Sequence, residues 1–349
     1  MPIARSILRP YQGDVQFPQD VDAGEMRQIL LSAIRILISA ALLYLALRKV
    51  NLSDLVSRVS NRASLGWIAL AIVVSFLQIF VGVLRWREVS AECGAPLAIS
   101  QAMRFNVIGA FFNQTLPSSI GGDAVRLWLV ARAGAGWRAA TYSIFVDRAV
   151  GLIVLAILIV VLLPWSYHLI VNPEGRSALV LVDSAALVGG IGFIVLGALR
   201  WPWLRRWWGM HHLHACAIIA NRVMFSHFRG PKVAALSLMV HTLTVIIAWF
   251  TVQSITAPVS FAQTFLIVPP VMLITILPIS IAGWGVREAT MGLAFGYVGL
   301  TMDDGVRLSL LFGAVSFIVG AIGGLVWMLS TEKTAQKSIR INASEQTAK

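Results

Sequence analysis

The chain has 349 residues, with 58% hydrophobic and 13% charged residues, a mean hydropathy of +0.79 and a formal charge of +12. A soluble domain cannot bury that much apolar side chain, so soluble fold classes are excluded. Its cations lie scattered at the ends of apolar segments and form no single stripe, which argues against nucleic acid as a partner and for orientation in a bilayer.

Residues 1–28 mix both signs of charge with prolines and show no small-residue cleavage site after an apolar region, so they read as a retained tail. The first apolar run follows, with Arg35 near enough to its end to snorkel. Residues 48–64 set Arg48, Lys49, Arg58 and Arg62 against Asp54 and carry apolar Leu52, Leu55 and Val59. They read as an interfacial amphipathic helix, which leaves the direction of the first span open. Residues 66–84 are long and apolar enough to cross. Beyond Arg85, Arg87 and Arg104, a short apolar run reaches Leu116 before the chain turns basic again at Arg126, Arg132 and Arg138. This predicts a hairpin that enters from the cytoplasm and returns.

Residues 139–163 and 177–199 then cross outward and back, carrying the intramembrane charges Asp147, Arg148 and, nearer a span end, Asp183. The connection 200–232 is the most basic, without a carboxylate, and is expected in the cytoplasm. Its segment WPWLRRWWGMHHLH offers an interfacial anchor in preference to a metal cluster of His211, His212 and His214, whose spacing is not the i, i+4 pair of one helix face. Cys93 and Cys216 likewise lack disulfide-framework or metal-ligand spacing, so no metal or cofactor is expected. Residues 233–255 and 308–329 cross, and the interrupted stretch 261–300 between them has to turn back. The glycines at 189, 190 and 192, and at 320 and 324, predict close helix contacts. The expected fold is therefore an all-α polytopic membrane protein: about six transmembrane helices and two re-entrant broken-helix hairpins in an inverted repeat. Residues 29–330 form one transmembrane domain with repeat units at about 66–163 and 233–329, and the tail 331–349, with Lys333, Lys337 and Arg340, is expected in the cytoplasm.

An internal repeat carries the functional signal. Residues 116–126 read LPSSIGGDAVR and residues 277–287 read LPISIAGWGVR, identical at seven of eleven positions, and both fall at the interruption of a short apolar segment. Pro117 and Pro278 would end the inbound arm, Gly121, Gly122 and Gly283 would allow tight turns, and Ser119 and Ser280 could cap the outbound helix. A helix N-terminus with Arg126 or Arg287 one turn further on suits a phosphate, so two tips could surround one headgroup. The alternative is structural: proline and glycine only build the bends, and the arginines snorkel to headgroups or pair with Asp123 and Glu288. Asp147 and Arg148 point in different directions, with Arg126 or Arg287 as the expected partner of the aspartate, either in a structural ion pair or in a coupling relay.

The motifs LPSSIGGDAVR, VDRAVGL at 146–152, RWREV at 85–89 and LPISIAGWGVRE resemble the lysylphosphatidylglycerol synthase transmembrane, or flippase-like, domain family, over about residues 29–330. The resemblance implies importance for Asn113, Pro117, Gly121, Gly122, Asp123, Arg126, Asp147, Arg148, Pro278, Gly283, Arg287 and Glu288. Ser118 departs from the glycine expected there. In two-part members the membrane region is thought to move lipids between leaflets while a soluble domain attaches the amino acid; that soluble domain is not expected here. The reading is a lipid translocase of a bacterial cytoplasmic membrane, not an enzyme, with phosphate-bearing membrane lipids as substrate and lipid-biosynthesis enzymes as conceivable partners. A membrane-embedded lipid-modifying enzyme and a non-catalytic scaffold of a lipid-synthesis complex are the alternatives.

Overall fold

A computed structural model describes residues 59–116, 120–199, 207–276 and 283–347 with the isolated positions 37, 44 and 57, and side chains of the last helix as far as Leu329. The predicted first span with Arg35, most of the amphipathic segment after it, residues 201–206 and the tip residues Pro117, Ser118, Ser119, Pro278 and Ser280 lie outside the described residues. Every regular element among the described residues is helical. In chain order these are α1 (Arg62–Glu92), α2 (Ile99–Thr115), α3 (Gly121–Val130), α4 (Gly136–Leu169), α5 (Pro173–Ala198), α6 (Trp208–Met224), α7 (Arg229–Ser254), α8 (Phe261–Thr275), α9 (Val286–Tyr297) and α10 (Met302–Thr347).

Five helices are long and apolar enough to cross a membrane: α1, the joined α3–α4 stretch Gly121–Leu169, α5, α7 and Met302–Leu329 of α10. Each coincides with a stretch expected to span. A π turn, Ala131–Ala135, joins α3 to α4 and leaves helical geometry at Gly134. By contrast α2, α8 and α9 have 17, 15 and 12 residues. At 1.5 Å per residue none reaches the roughly 30 Å of a hydrocarbon core.

α1 and α7 lie side by side and antiparallel along their length. Trp67 stacks edge-on against Trp249 at 5.9 Å, Gln78 donates to Thr244 Oγ1 at 2.5 Å, and Glu88 pairs with Lys232 at 2.6 Å. Glu92 pairs with Arg229 at the far end. Around this pair the contacts come in matched sets. α2 packs on α3 and on α10, as α8 packs on α9 and on α4. α3 abuts α4 as α9 abuts α10.

Glycines set the closest approaches. On α10, a Cβ at Gly323 would lie 2.0 Å from the Val107 carbonyl oxygen of α2, and one at Gly324 would meet Phe111 at 2.8 Å. The expectation for Gly320 and Gly324 holds; that for Gly189, Gly190 and Gly192 does not. Among the described residues nothing stands within 4 Å of a Cβ at Gly189 or Gly192, and Gly190 meets only Ile153 at 3.8 Å. The reason is that α5 buries Gly175, Leu179 and Asp183, and no described helix packs closely on its glycine face. Gly323→Ala should cost about 1–3 kcal/mol by overpacking, read as a lower thermal midpoint in detergent, while Gly66→Ala, with open space around it, should leave the midpoint unchanged. Equal midpoints for the two variants would remove the close α2–α10 contact as a determinant of the fold.

Candidate functional site

The first cluster is built where α3 begins. Gly122 lies so close to α2 that a Cβ there would sit 2.1 Å from the Gly109 carbonyl oxygen, and one at Gly121 would sit 2.7 Å from the Leu116 side chain. The Gly122 N–H donates to Asn113 Oδ1 at 2.9 Å. The tip was expected to leave its first N–H groups open to a ligand; at Gly122 the α2 side chain Asn113 takes that donor instead.

The next residue, Asp123, is buried and accepts from two arginines. Arg126 Nη1 donates to Oδ1 at 3.0 Å, and Arg148 donates from Nε to Oδ2 at 2.8 Å and from Nη2 to Oδ1 at 2.9 Å. Arg126 is 6% exposed, its guanidinium 4.1 Å over the Trp86 ring and its stem against Gly109, where a Cβ would meet it at 2.8 Å. Its Nε and Nη2, and Trp86 Nε1, have no acceptor among the described residues. Three buried donors thus stand without a partner in one place, a costly arrangement unless an oxygen comes to them. Arg148 differs in being half uncovered, with 49% of its side chain exposed. It stands roughly 18 Å along α4 at 1.5 Å per residue, within a stretch apolar enough to cross a membrane, where an uncovered cation needs a polar neighbour.

Asp147, next to Arg148, turns to the other side. Arg85 holds both its oxygens, Nε to Oδ1 at 2.9 Å and Nη2 to Oδ2 at 3.1 Å, and also donates to Ser237 on α7 at 3.5 Å. The expected partners, Arg126 and Arg287, are corrected to Arg85. α1 does not stop at Leu84 but continues to Glu92, which carries Arg85 into the interior level with Asp147. Gly151 makes the room, since a Cβ there would lie 2.8 Å from Arg85 Nη1.

The second cluster is closed. Gly283 and Gly285 adopt φ of 80° and 85°, conformations that glycine tolerates and other residues resist, so α9 begins only at Val286, later in the repeat than α3. Glu288 accepts from the Gly285 N–H at 2.6 Å, from Arg287 Nη2 at 2.9 Å and from Ser309 Oγ at 2.8 Å. Arg287 Nε donates to Ser309 at 2.9 Å, and the guanidinium lies between the rings of Trp284 and Phe312, at 5.2 and 5.5 Å. The structural alternative raised from sequence, arginine paired with Asp123 and Glu288, is what both hairpins contain. No hydrogen bond or ion pair joins the two clusters among the described residues.

Arg85, Trp86 and Ser309 escaped the sequence reading as site residues. RWREV, at the end of an apolar run, was the available signal. Asp183, expected to snorkel, is instead buried in α5, and neither oxygen has a partner among the described residues. The histidines diverge: His212 Nδ1 shares a hydrogen bond with Tyr142 at 2.6 Å, while His214 reaches the Leu199 carbonyl at 2.8 Å. Cys93 and Cys216 are buried free thiols.

Residues 32–324 match the family model described as the lysylphosphatidylglycerol synthase TM region. The chain belongs to this family. No curated protein matches it, and no solved structure does. Membership makes it a multi-pass membrane protein of lipid metabolism or transport, and both charge clusters fall inside the matched region. Within it, Asp147→Asn should leave Arg85 buried without its counter-charge and destabilise the fold by about 3–5 kcal/mol. The double replacement Arg85→Met/Asp147→Leu should recover most of that loss, measured as detergent or chemical denaturation midpoints; a double variant no more stable than Asp147→Asn would show that the pair is not the relevant interaction.

Proposed function

We propose that this protein translocates phospholipid headgroups across a bacterial cytoplasmic membrane, with α2–α3 and α8–α9 as re-entrant hairpins of an inverted repeat and the C-terminus in the cytoplasm. The matched packing around an antiparallel α1–α7 pair supports the repeat, because two units with antiparallel leading helices are related by an axis in the membrane plane. The observation that carries the transport reading is Asp123 with its two arginines. One is half uncovered in a stretch apolar enough to cross a membrane, and the other has two donors without an acceptor among the described residues. A headgroup phosphate offers oxygens that match both guanidinium forks.

Asp123 then acts as a resident anion that a phosphate displaces. The substrate enters beside Arg148, takes over its fork and meets Arg126 and Trp86 as Asp123 yields. The Arg287–Glu288–Ser309 cluster acts as a brace that fixes the second hairpin. Movement is downhill or ion-coupled, and the reading involves no chemical change of the lipid.

Arg126 and Arg287 are poor probes, since Arg126 is packed under the Trp86 ring and removal of Arg287 leaves the buried Glu288 without its cation. Arg148→Gln is the cleaner variant, because Asp123 keeps Arg126. In vesicles reconstituted with a fluorescent anionic phospholipid, it should slow leaflet exchange by at least about tenfold, the worth of one charge-assisted hydrogen bond, while its elution profile and midpoint stay near wild type. Exchange at the wild-type rate would overturn the proposal, and a covalently altered lipid from pure protein would favour an enzyme instead.

A further inference from the structure

α4 leaves one stripe uncovered by protein. Arg138, Thr141, Phe145 and Arg148 are exposed, while Tyr142, Ser143, Ile144, Val146 and Asp147 between them are buried. Steps of three and four residues place the exposed set on one helix face. From Arg138 to Arg148 the stripe runs about 15 Å at 1.5 Å per residue.

Its outer end opens into a cavity of about 610 Å³ between α4 and α6, within the size range of ligand sites. Trp137, Phe145 and Leu213 give that cavity apolar walls, and Arg138, Tyr142 and His212 give it a polar end. The polar end is braced. Arg138 Nε donates to Tyr142 Oη at 3.2 Å, and the same oxygen shares a 2.6 Å hydrogen bond with His212 Nδ1. Arg138 Nη1 and Nη2 have no hydrogen bond or ion pair with the described residues, so one edge of the guanidinium fork remains for a ligand. Trp137 and Trp207 stand 62% and 65% exposed nearby, as tryptophans do at the level of lipid headgroups.

We propose that this cavity is the entry site for the phosphate of a phospholipid drawn from the leaflet on the basic side of the membrane, and that the α4 stripe leads the headgroup from Arg138 to Arg148. Binding at Arg138 stands on the cavity alone; the onward path rests on the transport reading above. A phospholipid fits where a soluble anion does not. Exposed tryptophans of the kind found at headgroup level stand beside the cation, and the apolar walls formed by Trp137, Phe145 and Leu213 offer a surface to acyl chain. The second repeat has no such path, because the positions in register with Arg138, Thr141, Phe145 and Arg148 are Gly299, Met302, Val306 and Ser309. Entry is therefore built into one face of the molecule.

The test uses Thr141→Cys in a Cys93→Ala/Cys216→Ala background, in detergent, alkylated by a maleimide. Short-chain phosphatidylglycerol should slow labelling by at least about tenfold, the effect of a 1.4 kcal/mol difference, and Arg138→Gln should abolish that protection while Arg138→Lys retains part of it. Equal protection by inorganic phosphate would make this a simple anion site, and equal protection by diacylglycerol an apolar one; either overturns the proposal, as does wild-type protection in Arg138→Gln. Protection that depends on Arg138, together with normal leaflet exchange in Arg148→Gln, would leave the binding site standing and remove the onward path along with the transport reading.

Discussion

A guanidinium inside a bilayer has to be met by an anion or by water, and the interior of this protein is arranged around that requirement. Arg85 with Asp147 ties α1 to α4, Asp123 with Arg126 and Arg148 ties α3 to α4, and Arg287 with Glu288 and Ser309 ties α9 to α10. Each pair joins elements that the apolar effect alone would not hold in register, since lipid tails are as apolar as leucine. Three of these four arginines are also seated against a glycine: Arg85 on Gly151, Arg126 on Gly109, Arg287 on Gly313. A side chain at any of these would push the cation from its counter-charge, so glycine and arginine form one structural unit although they lie far apart in the chain.

The two hairpins share a motif and differ in chemistry. In register, Asp123 of the first becomes Trp284 of the second, and Arg148 becomes Ser309. The carboxylate that faces two cations in one repeat is replaced by an indole, and the second repeat finds its carboxylate one position beyond the arginine, at Glu288. That change turns an open network, with an excess cation and unpartnered donors, into a neutral one whose carboxylate and arginine fork are engaged within the cluster. On the transport reading, a repeat that keeps its motif arginine while losing its spare charge has given up its ligand groups.

How much of this could be read in the sequence follows from the range of each interaction. The span positions were legible because apolar length is a local property, and the two interruptions because LPSSIGGDAVR and LPISIAGWGVR repeat in register. The pairing of Asp147 was not legible. Its partner Arg85 is distant in sequence, and RWREV looks like the basic end of a span until the opposing carboxylate shows that the helix continues. Gly189 and Gly192 looked like contact glycines for the same reason: spacing marks a face, and only the neighbouring helices decide whether that face is covered. The capping of Gly122 by Asn113 likewise needs two helices already packed.

The open network also sets limits on how the proposed transport could work. A phosphate that reached Arg126 and Arg148 against an empty site would gain the full attraction of two cations and be slow to leave. Asp123 changes that balance, because the incoming anion exchanges with one already present and the net change is the difference between two similar pairings. Small differences favour reversibility, which a carrier without its own energy source requires. The half-uncovered position of Arg148 gives the exchange a starting point: its fork can be shared between Asp123 and an arriving phosphate before the fully buried Arg126 is disturbed. The order in which the two arginines are engaged is therefore set by their burial, the exposed one first and the one under Trp86 last.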